Sequence, residues 1–557
     1  MADERVGHRA GPAALVLGRV EVLSLERAVK RRDLLRGAVA ATAALAAPAV
    51  HGQASATRVL RIVPQANLTS LDPIWTTATI TRTHAYLVYD TLIGMDSSFQ
   101  PRPQMAEGWT IEDDGKVYTF TLREGLRFHN GEMVTARDVV ASIRRWWARD
   151  GFGQEIARRH ASLIALDDRR LRLTLQKPFA LTLKALGKAN ASPCFVMPES
   201  VANTDPHTQI TSAIGSGPYR FVREEWNPGS RVVYARFEGY VPRQEPTDWT
   251  AGAKLANAER MEWHIIPDPA TAGAALQSGE VDFWEIPLHD LLPVLRRNRN
   301  IVVVVRDPIG SVGMLRFNHL VPPFDNPALR RALMLAVDQE NYLRAVVGDD
   351  PSMYATSYSF WSRGSPMHTE EGSEPLRVKS VERARAALRE AGYAGQRVVQ
   401  LHASDFPTLA ALSQVTADLL RRLEVNLEFV ATDWGTVVQR RASREPIERG
   451  GWNIFHTTWS GPDWFDPAST LAMRANGNAA WFGWPTSERM EALREQWFDA
   501  PTEADQKRIA AEIQREAFQV VPHIPLGHFL SPSAHRRNVT GVIKSPIVLF
   551  YNMGKSS

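Results

Sequence analysis

Hydrophobic and polar positions alternate through residues 117–122: Tyr118, Phe120 and Leu122 fall on one face, Val117, Thr119 and Thr121 on the other. A period of two is the mark of a strand. Residues 109–112 read as its partner, and Asp114-Gly115 between them is the pair a tight hairpin turn wants, because Gly tolerates positive φ. After a turn at Asn130-Gly131 the period changes. Thr135 can cap a helix, Asp138 three residues on makes a capping-box-like pair, and Val139, Ile143 and Trp146 recur at helical spacing. Residues 163–175 repeat the hairpin pattern around Asp167-Asp168, with Leu171, Leu173 and Leu175 on one face.

The rest of the chain reads in the same terms. Residues 58–64 form a short strand, and 86–92 a helix leading to a strand at 93–95. Gly215-Ser216-Gly217-Pro218 is a turn before a strand; no P-loop lysine follows, and Pro218 opposes a helix start, so a phosphate cradle is the weaker reading. Residues 231–237 alternate as a strand, and Gly279 suits the C′ position of a helix. The continuous run 301–305 has the pattern of a buried strand. Asp325 or Asn326 caps a helix with Pro327 at its first position. Helices over 381–393 and 409–423, followed by a strand over 425–430, give an α/β rhythm.

Composition narrows the class. The 557 residues are enough for several domains, and 44% hydrophobic with 23% charged is the balance of a soluble globular protein. Residues 1–56 hold eight Lys/Arg and five Asp/Glu, leaving only +1 of the net +4 to the remainder, which excludes the charge pattern of a nucleic-acid binder. Lys30-Arg31-Arg32-Asp33-Leu34-Leu35-Arg36, an apolar run over 37–50 and Ala54-Ser55-Ala56 follow one another in the order of a secretory signal, and the twin arginine points to the Tat route. A membrane anchor is the other reading of that run, which is short and weakly hydrophobic for a span. Asp3, Glu4, Glu21 and Glu26 are out of keeping with a basic leader and point to initiation at Val29. Cys194 is the only cysteine, so no intrachain disulfide forms, and its apolar surroundings mark it as inert.

The block from Ala106-Glu107-Gly108-Trp109 through Phe128-His129-Asn130-Gly131 to Ser142-Ile143-Arg144-Arg145 resembles the signature of the family 5 extracellular solute-binding proteins, the peptide, dipeptide, oligopeptide and nickel receptors of ABC importers. Further blocks carry the resemblance, among them Leu71-Asp72-Pro73, Ile214 to Phe221, Ala274 to Asp282, and Leu315-Arg316-Phe317-Asn318 with Pro322 to Asp338. The resemblance implies an α/β, two-lobed periplasmic binding protein (cluster C, type II-like) with an extra domain in lobe one. It implies lobe one at 57–90, 213–308 and 525–557, the extra domain at 91–212, and lobe two at 309–524, after a 1–56 extension and Tat-type signal. The chain would cross between lobes at 308–310 and again at 523–526. A periplasmic monomer is implied, capturing a peptide or peptide-like solute between the lobes and handing it to an inner-membrane ABC permease, with no cofactor, metal or nucleic acid.

Enzyme signatures are sparse: Gly-x-Ser-x-Gly, His-Glu-x-x-His, Walker A and Gly-x-Gly-x-x-Gly are all missing. A Tat-exported periplasmic enzyme with a bound cofactor is the alternative, since triads are not local in sequence. Aromatic clusters on Gly-, Pro- and Ser-rich segments are the stronger signal, because rigid rings on loops make ligand walls. Tyr354, Tyr358, Phe360 and Trp361 lie beside Arg363; Trp459, Trp464 and Phe465 surround Ser460-Gly461-Pro462-Asp463; Trp481, Phe482 and Trp484 follow, and Trp434 stands apart after Asp433. In peptide-binding relatives the loop matching 459–463 offers an aspartate to the ligand's ammonium. Here Pro462 takes the usual acid position and the acid comes one residue later, as Asp463. The candidate ligand-binding set is therefore Trp459, Ser460, Asp463, Trp464, Trp434, Tyr358, Trp361 and Arg363, the last as a carboxylate partner; no catalytic residue is named.

The export reading is checked directly. Arg31→Lys with Arg32→Lys should strand the precursor in the cytoplasm, because the twin arginine is read by a receptor; normal export of that double variant, followed by fractionation and immunoblotting, would rule the route out.

Overall fold

The computed structural model describes residues 58–500 and 502–556; the leader read above lies outside them. Two large sheets organise the chain. The first has seven strands, in the order Tyr219–Phe221, Arg231–Arg236, Arg260–His264, Val59–Val63, Phe283–Trp284, Ser533–Arg536 and Ile301–Val304. The second has six: Tyr354–Ala355, His523–Phe529, Ser311–Phe317, Ile454–Ser460, Val398–Ala403 and Leu427–Thr432. Parallel pairs in each sheet need crossover helices, and the helix Pro407–Arg422 between Val398–Ala403 and Leu427–Thr432 is one of these. The fold is two-lobed and α/β.

A separate four-stranded antiparallel sheet, in the order Ala106–Glu112, Val117–Leu122, Arg170–Leu175 and His160–Ala165, holds both hairpins read from the sequence. Tyr118, Phe120, Leu122, Leu171, Leu173 and Leu175 all face its core. At the first turn Asp113, Asp114 and Gly115 all have positive φ. The helix Ala136–Trp147 packs beside this sheet, and Asp138 Oδ2 accepts from the Thr135 backbone N–H at 2.7 Å, as the capping pattern requires.

Three expectations shift. The helix begins earlier, as Thr79–Val88, and the chain is already in a strand at Asp90–Thr91. That helix is buried on nearly every side, so no polar stripe marks its start. The run beginning at Ile301 is a strand on the sheet's edge, where Ile301 is buried but Val302 to Val304 are only half-covered. The return crossing also lies later than 523–526. His523–Phe529 pairs throughout with Ser311–Phe317 in the second sheet, and the chain rejoins the first only at Ser533. The strand is entirely buried, so its pairing with a central strand outweighs the break that Pro525 suggests. The outward crossing lies within 305–310, between the strands ending at Val304 and beginning at Ser311.

The Leu71-Asp72-Pro73 turn is held by a buried ion pair. Asp72 Oδ1 accepts from the backbone N–H groups of Ile74 and Trp75, while Oδ2 accepts from Ile210 N at 3.0 Å and from Arg145 Nη2 at 2.8 Å. Arg145 also donates to the carbonyls of Thr204, Asp205 and Thr208. One side-chain pair thus ties the first lobe's opening turn, the helix Ala136–Trp147 and the 204–210 loop. Removing one member of a buried pair strands the other's charge. Arg145→Met should therefore cost about 3–5 kcal/mol in urea denaturation; a loss below about 1 kcal/mol would show that the pair is not the clasp.

Candidate functional site between the lobes

The strand Ile454–Ser460 ends at the lobe junction in a short 3-10 turn, Gly461–Trp464. Asp463 closes this turn: its Oδ2 accepts from Ser460 Oγ at 2.6 Å and from Ser460 N at 3.1 Å. Its Oδ1 accepts from Ala191 N at 2.7 Å and stands 3.8 Å from Arg82 Nη1. Asn190 Nδ2 donates to Pro462 O at 3.2 Å. The loop therefore grips the opposite side of the junction, with both Asp463 oxygens engaged by the protein itself. Gly461 fits because any Cβ there would meet Ile309 Cγ2 at 2.1 Å.

Two adjoining cavities between the lobes are both lined by Trp459. Gln65, Thr79 and Arg82 line both from the first lobe; Phe406, Thr458 and Trp459 line both from the second. Trp434, Arg441 and Asp463 complete one cavity, and Glu285, Arg306 and Ser460 belong to the other. Trp459 packs edge-on against Trp464 and Trp481, and Trp481 Nε1 donates to Thr77 Oγ1 across the junction at 3.1 Å.

The structure thus gathers four of the expected residues, Trp459, Ser460, Asp463 and Trp434, around the junction. The other four line neither cavity. Trp464 is in the core against His523. Trp361 is fully buried and donates from Nε1 to Ala510 O of the helix Glu503–Val520. Tyr358 is half-buried, with the Arg377 guanidinium 4.2 Å over its ring, and Arg363 is exposed. The aromatics near 360 serve the packing of lobe two against that long helix, where Gln514 Oε1 accepts from Ser359 Oγ and Phe360 N.

Four charged residues that the sequence reading passed over stand in the cavity walls: Arg82, Glu285, Arg306 and Arg441. None belongs to a local motif; each comes from a different element, so only the fold assembles them. Glu285 Oε2 accepts from Gln65 N at 2.9 Å, while Oε1 is buried with no partner. Burial pushes the Glu285 carboxyl up to about 7, against the opposing pull of Arg306 and Arg82. Arg306 Nε donates to Ser533 Oγ, and that hydroxyl donates to the Glu285 carbonyl. Burial likewise raises Asp307 to about 6. Among the described residues no group of three His, Cys, Asp or Glu could hold a metal ion.

Glu285 makes stability depend on pH with a definite sign. Its folded value lies above the unfolded one, so the folded protein holds the proton more tightly, and its stabilising contribution is complete below about pH 4.5 and lost as pH rises through about 7. Glu285→Gln fixes the neutral form. Urea midpoints at pH 5 and pH 8 should show the variant gaining on the native protein at the higher pH, by about 1–3 kcal/mol; an unchanged gap would place the proton elsewhere.

Comparison with known proteins agrees with this geometry. Residues 100–481 match the model of the bacterial extracellular solute-binding proteins, family 5 Middle. The chain is 39% identical over 539 residues to the probable peptide ABC transporter periplasmic-binding protein y4tO of Sinorhizobium fredii, covering 95% of this chain and 100% of that protein. It is 27% identical over 541 residues to the glutathione-binding protein GsiB of Escherichia coli K12, covering 93% and 97%. Its fold matches the ABC transporter-associated periplasmic binding protein DppA of Helicobacter pylori, in complex with the peptide STSA, at a TM-score of 0.73, with 21% identity and coverage of 90% and 98%. A cavity walled by both lobes, on a chain matched along nearly its whole length, places this protein in the family 5 bacterial extracellular solute-binding proteins.

Proposed function

We propose that the protein is the periplasmic, substrate-binding component of an ABC importer, capturing a peptide or peptide-like solute between its lobes and delivering it to a membrane permease. The observation that carries this reading is the pair of cavities around Trp459, walled from both lobes. A ligand there touches both lobes, which is what biases a two-state closure toward the closed form. The peptide named for the Sinorhizobium protein and the glutathione named for the E. coli protein support a peptide-like solute, as does the peptide held by the H. pylori protein. The twin-arginine leader supports delivery to the periplasm, and the protein would act there as a monomer.

Ligand contact rests on Trp459 as the central wall, with Trp434, Ser460 and Asp463 beside it. The domain division keeps the extra domain at 91–212 and ends lobe two after Phe529. Tyr358, Trp361, Trp464 and Arg363, the other candidates, line neither cavity.

Purified protein exposed to a pool of di- to pentapeptides should retain a subset by native mass spectrometry, and the retained peptides should reduce the scattering radius and raise the melting temperature. Trp459→Ala should weaken them by about 2–4 kcal/mol, roughly 30- to 1,000-fold, as expected of a central aromatic contact. Full affinity in a folded Trp459→Ala protein would remove this wall from the site, and a pool with no retained member would remove the peptide class.

A further inference from the structure

Lobe two is gripped at a second place, away from the Trp459 cavities. The helix Glu488–Phe498 ends there, and its last turn holds no basic residue. Glu495 and Asp499 therefore stand at the negative end of a helix, where a cation is the favoured neighbour. Among the described residues every ion pair of these two acids comes from residues 91–212. Arg158 pairs with Glu495, Arg159 Nη2 donates to Asp499 Oδ1 at 3.1 Å, and Lys177 Nζ donates to Asp499 Oδ2 at 3.1 Å. Phe498 lies among these charges, its ring centroid 6.1 Å from that of Phe152 and 5.8 Å from that of Phe179. The Arg159 guanidinium carbon is 4.9 Å over Phe179 and 5.7 Å over Phe498. All three phenylalanines are buried. Taken alone, this helix end would expose an apolar ring and two acids without cations; it is shaped to be covered, and residues 152–179 cover it.

The seam runs on toward the cleft. Lys184 Nζ stands 3.4 Å from Asp466 Oδ2, Arg474 Nη1 donates to Gln154 Oε1 at 2.7 Å, and the rings of Phe99 and Phe465 are 5.0 Å apart. On their other side residues 91–212 are fastened to the first lobe. Besides the Arg145–Asp72 pair, Arg243 Nη1 donates to Ala106 O at 2.9 Å, Met95 N to Thr250 Oγ1 at 2.8 Å and His129 N to Gly215 O at 2.8 Å. The extra domain is thus an arm of lobe one reaching across to lobe two. Arg158, Arg159, Lys177, Phe498 and Asp499 line neither Trp459 cavity.

We propose that the helix end at Glu495 to Asp499 and the cationic, aromatic face of residues 152–179 form a latch that holds the lobes closed without touching the solute. Its core is the phenylalanine seam, which salt does not screen. Its rim is a set of half-exposed ion pairs, each weak alone and weakened further by salt. A contact made only in the closed form lowers the cost of closure equally for every solute, so the latch sets how tightly the protein binds and leaves what it binds to the cleft. The effect on affinity rests on the solute-binding reading above; the effect on closure does not.

Small-angle scattering of the ligand-free protein tests the latch by itself. Phe498→Ala should enlarge the radius of gyration, and Glu495→Gln with Asp499→Asn should enlarge it less. The charge variant strands no buried cation, because Glu155 still pairs with Arg158 and Arg159. Raising salt from about 0.02 M to about 0.5 M should move the native radius toward that of the charge variant and leave the charge variant unchanged. Calorimetry with peptides that the native protein retains from the pool should show binding about tenfold weaker in Phe498→Ala and about threefold weaker in the charge variant, by the same factor for each peptide. Should Phe498→Ala fail to fold, the charge variant and the salt series carry the test. A larger radius in the variants, with no peptide retained even by the native protein, would uphold the latch and overturn the peptide reading. An unchanged radius in the folded variants and across the salt series would overturn the latch. Losses that differ from peptide to peptide would overturn its independence of the solute.

Discussion

The cleft depends on one buried guanidinium. Arg316 lies on the strand Ser311–Phe317, central in the second sheet, and carries no counter-ion. Its charge is spread over four carbonyls, from residues 472, 481, 482 and 522. Burial lowers it to about 9, which leaves it charged at neutral pH. Those acceptors belong to three segments: the turn Leu471–Met473, the loop bearing Trp481 and Phe482, and the approach to the strand His523–Phe529. Holding them together fixes Trp481 against Trp459, with the Arg316 guanidinium carbon 5.0 Å over the Trp481 ring. Arg316 stands in a block that sequence resemblance alone singles out; its four acceptors give the physical reason for an arginine there.

Much of the fold was legible because its signals are local. The hairpins at 106–122 and 160–175 need only alternation and a turn, the Thr135–Asp138 cap needs residues three apart, and Gly279 adopts the left-handed φ of 86° that the end of its helix demands. What was misread depends on long-range pairing. Whether residues 301–304 are central or at an edge is decided by a neighbour more than 200 residues away, at Ser533–Arg536. The return crossing is placed by the ladder between residues 311–316 and 523–529, not by Pro525.

The site was legible only as far as loop chemistry reaches. Aromatic residues within the Trp459 to Trp464 segment announced a wall, yet composition could not distinguish Trp459, which faces a cavity, from Trp464 beside it, which faces the core. Those two rings pack edge-on, 5.9 Å apart. The cluster around Tyr358 and Trp361 gave an equally strong signal, yet Trp361 is buried against the helix Glu503–Val520 and Tyr358 lies under the Arg377 guanidinium. The cavity's charges left no signal at all, because Arg82, Glu285, Arg306 and Arg441 come from separate stretches of the sequence and meet only once both sheets are assembled.

The position of Asp463 changes what the loop can do. An aspartate with one oxygen on its own turn and the other on Ala191 N, with Arg82 nearby, is already satisfied from both sides of the junction. A ligand ammonium would have to displace these partners and strand a buried N–H, a loss of about 1–3 kcal/mol per unsatisfied group. The carboxylate is better placed to fasten the loop when the lobes meet, and the insertion of Pro462 ahead of it makes this geometry possible by opening the 3-10 turn. The buried side-chain atoms of the cavity walls that have no hydrogen-bond partner among the described residues are the Nε atoms of Arg82 and Arg441 and the Oε1 atom of Glu285. A cleft so arranged draws its charges from both lobes, Arg82, Glu285 and Arg306 from the first and Arg441 from the second, so a solute seated there meets both lobes at once.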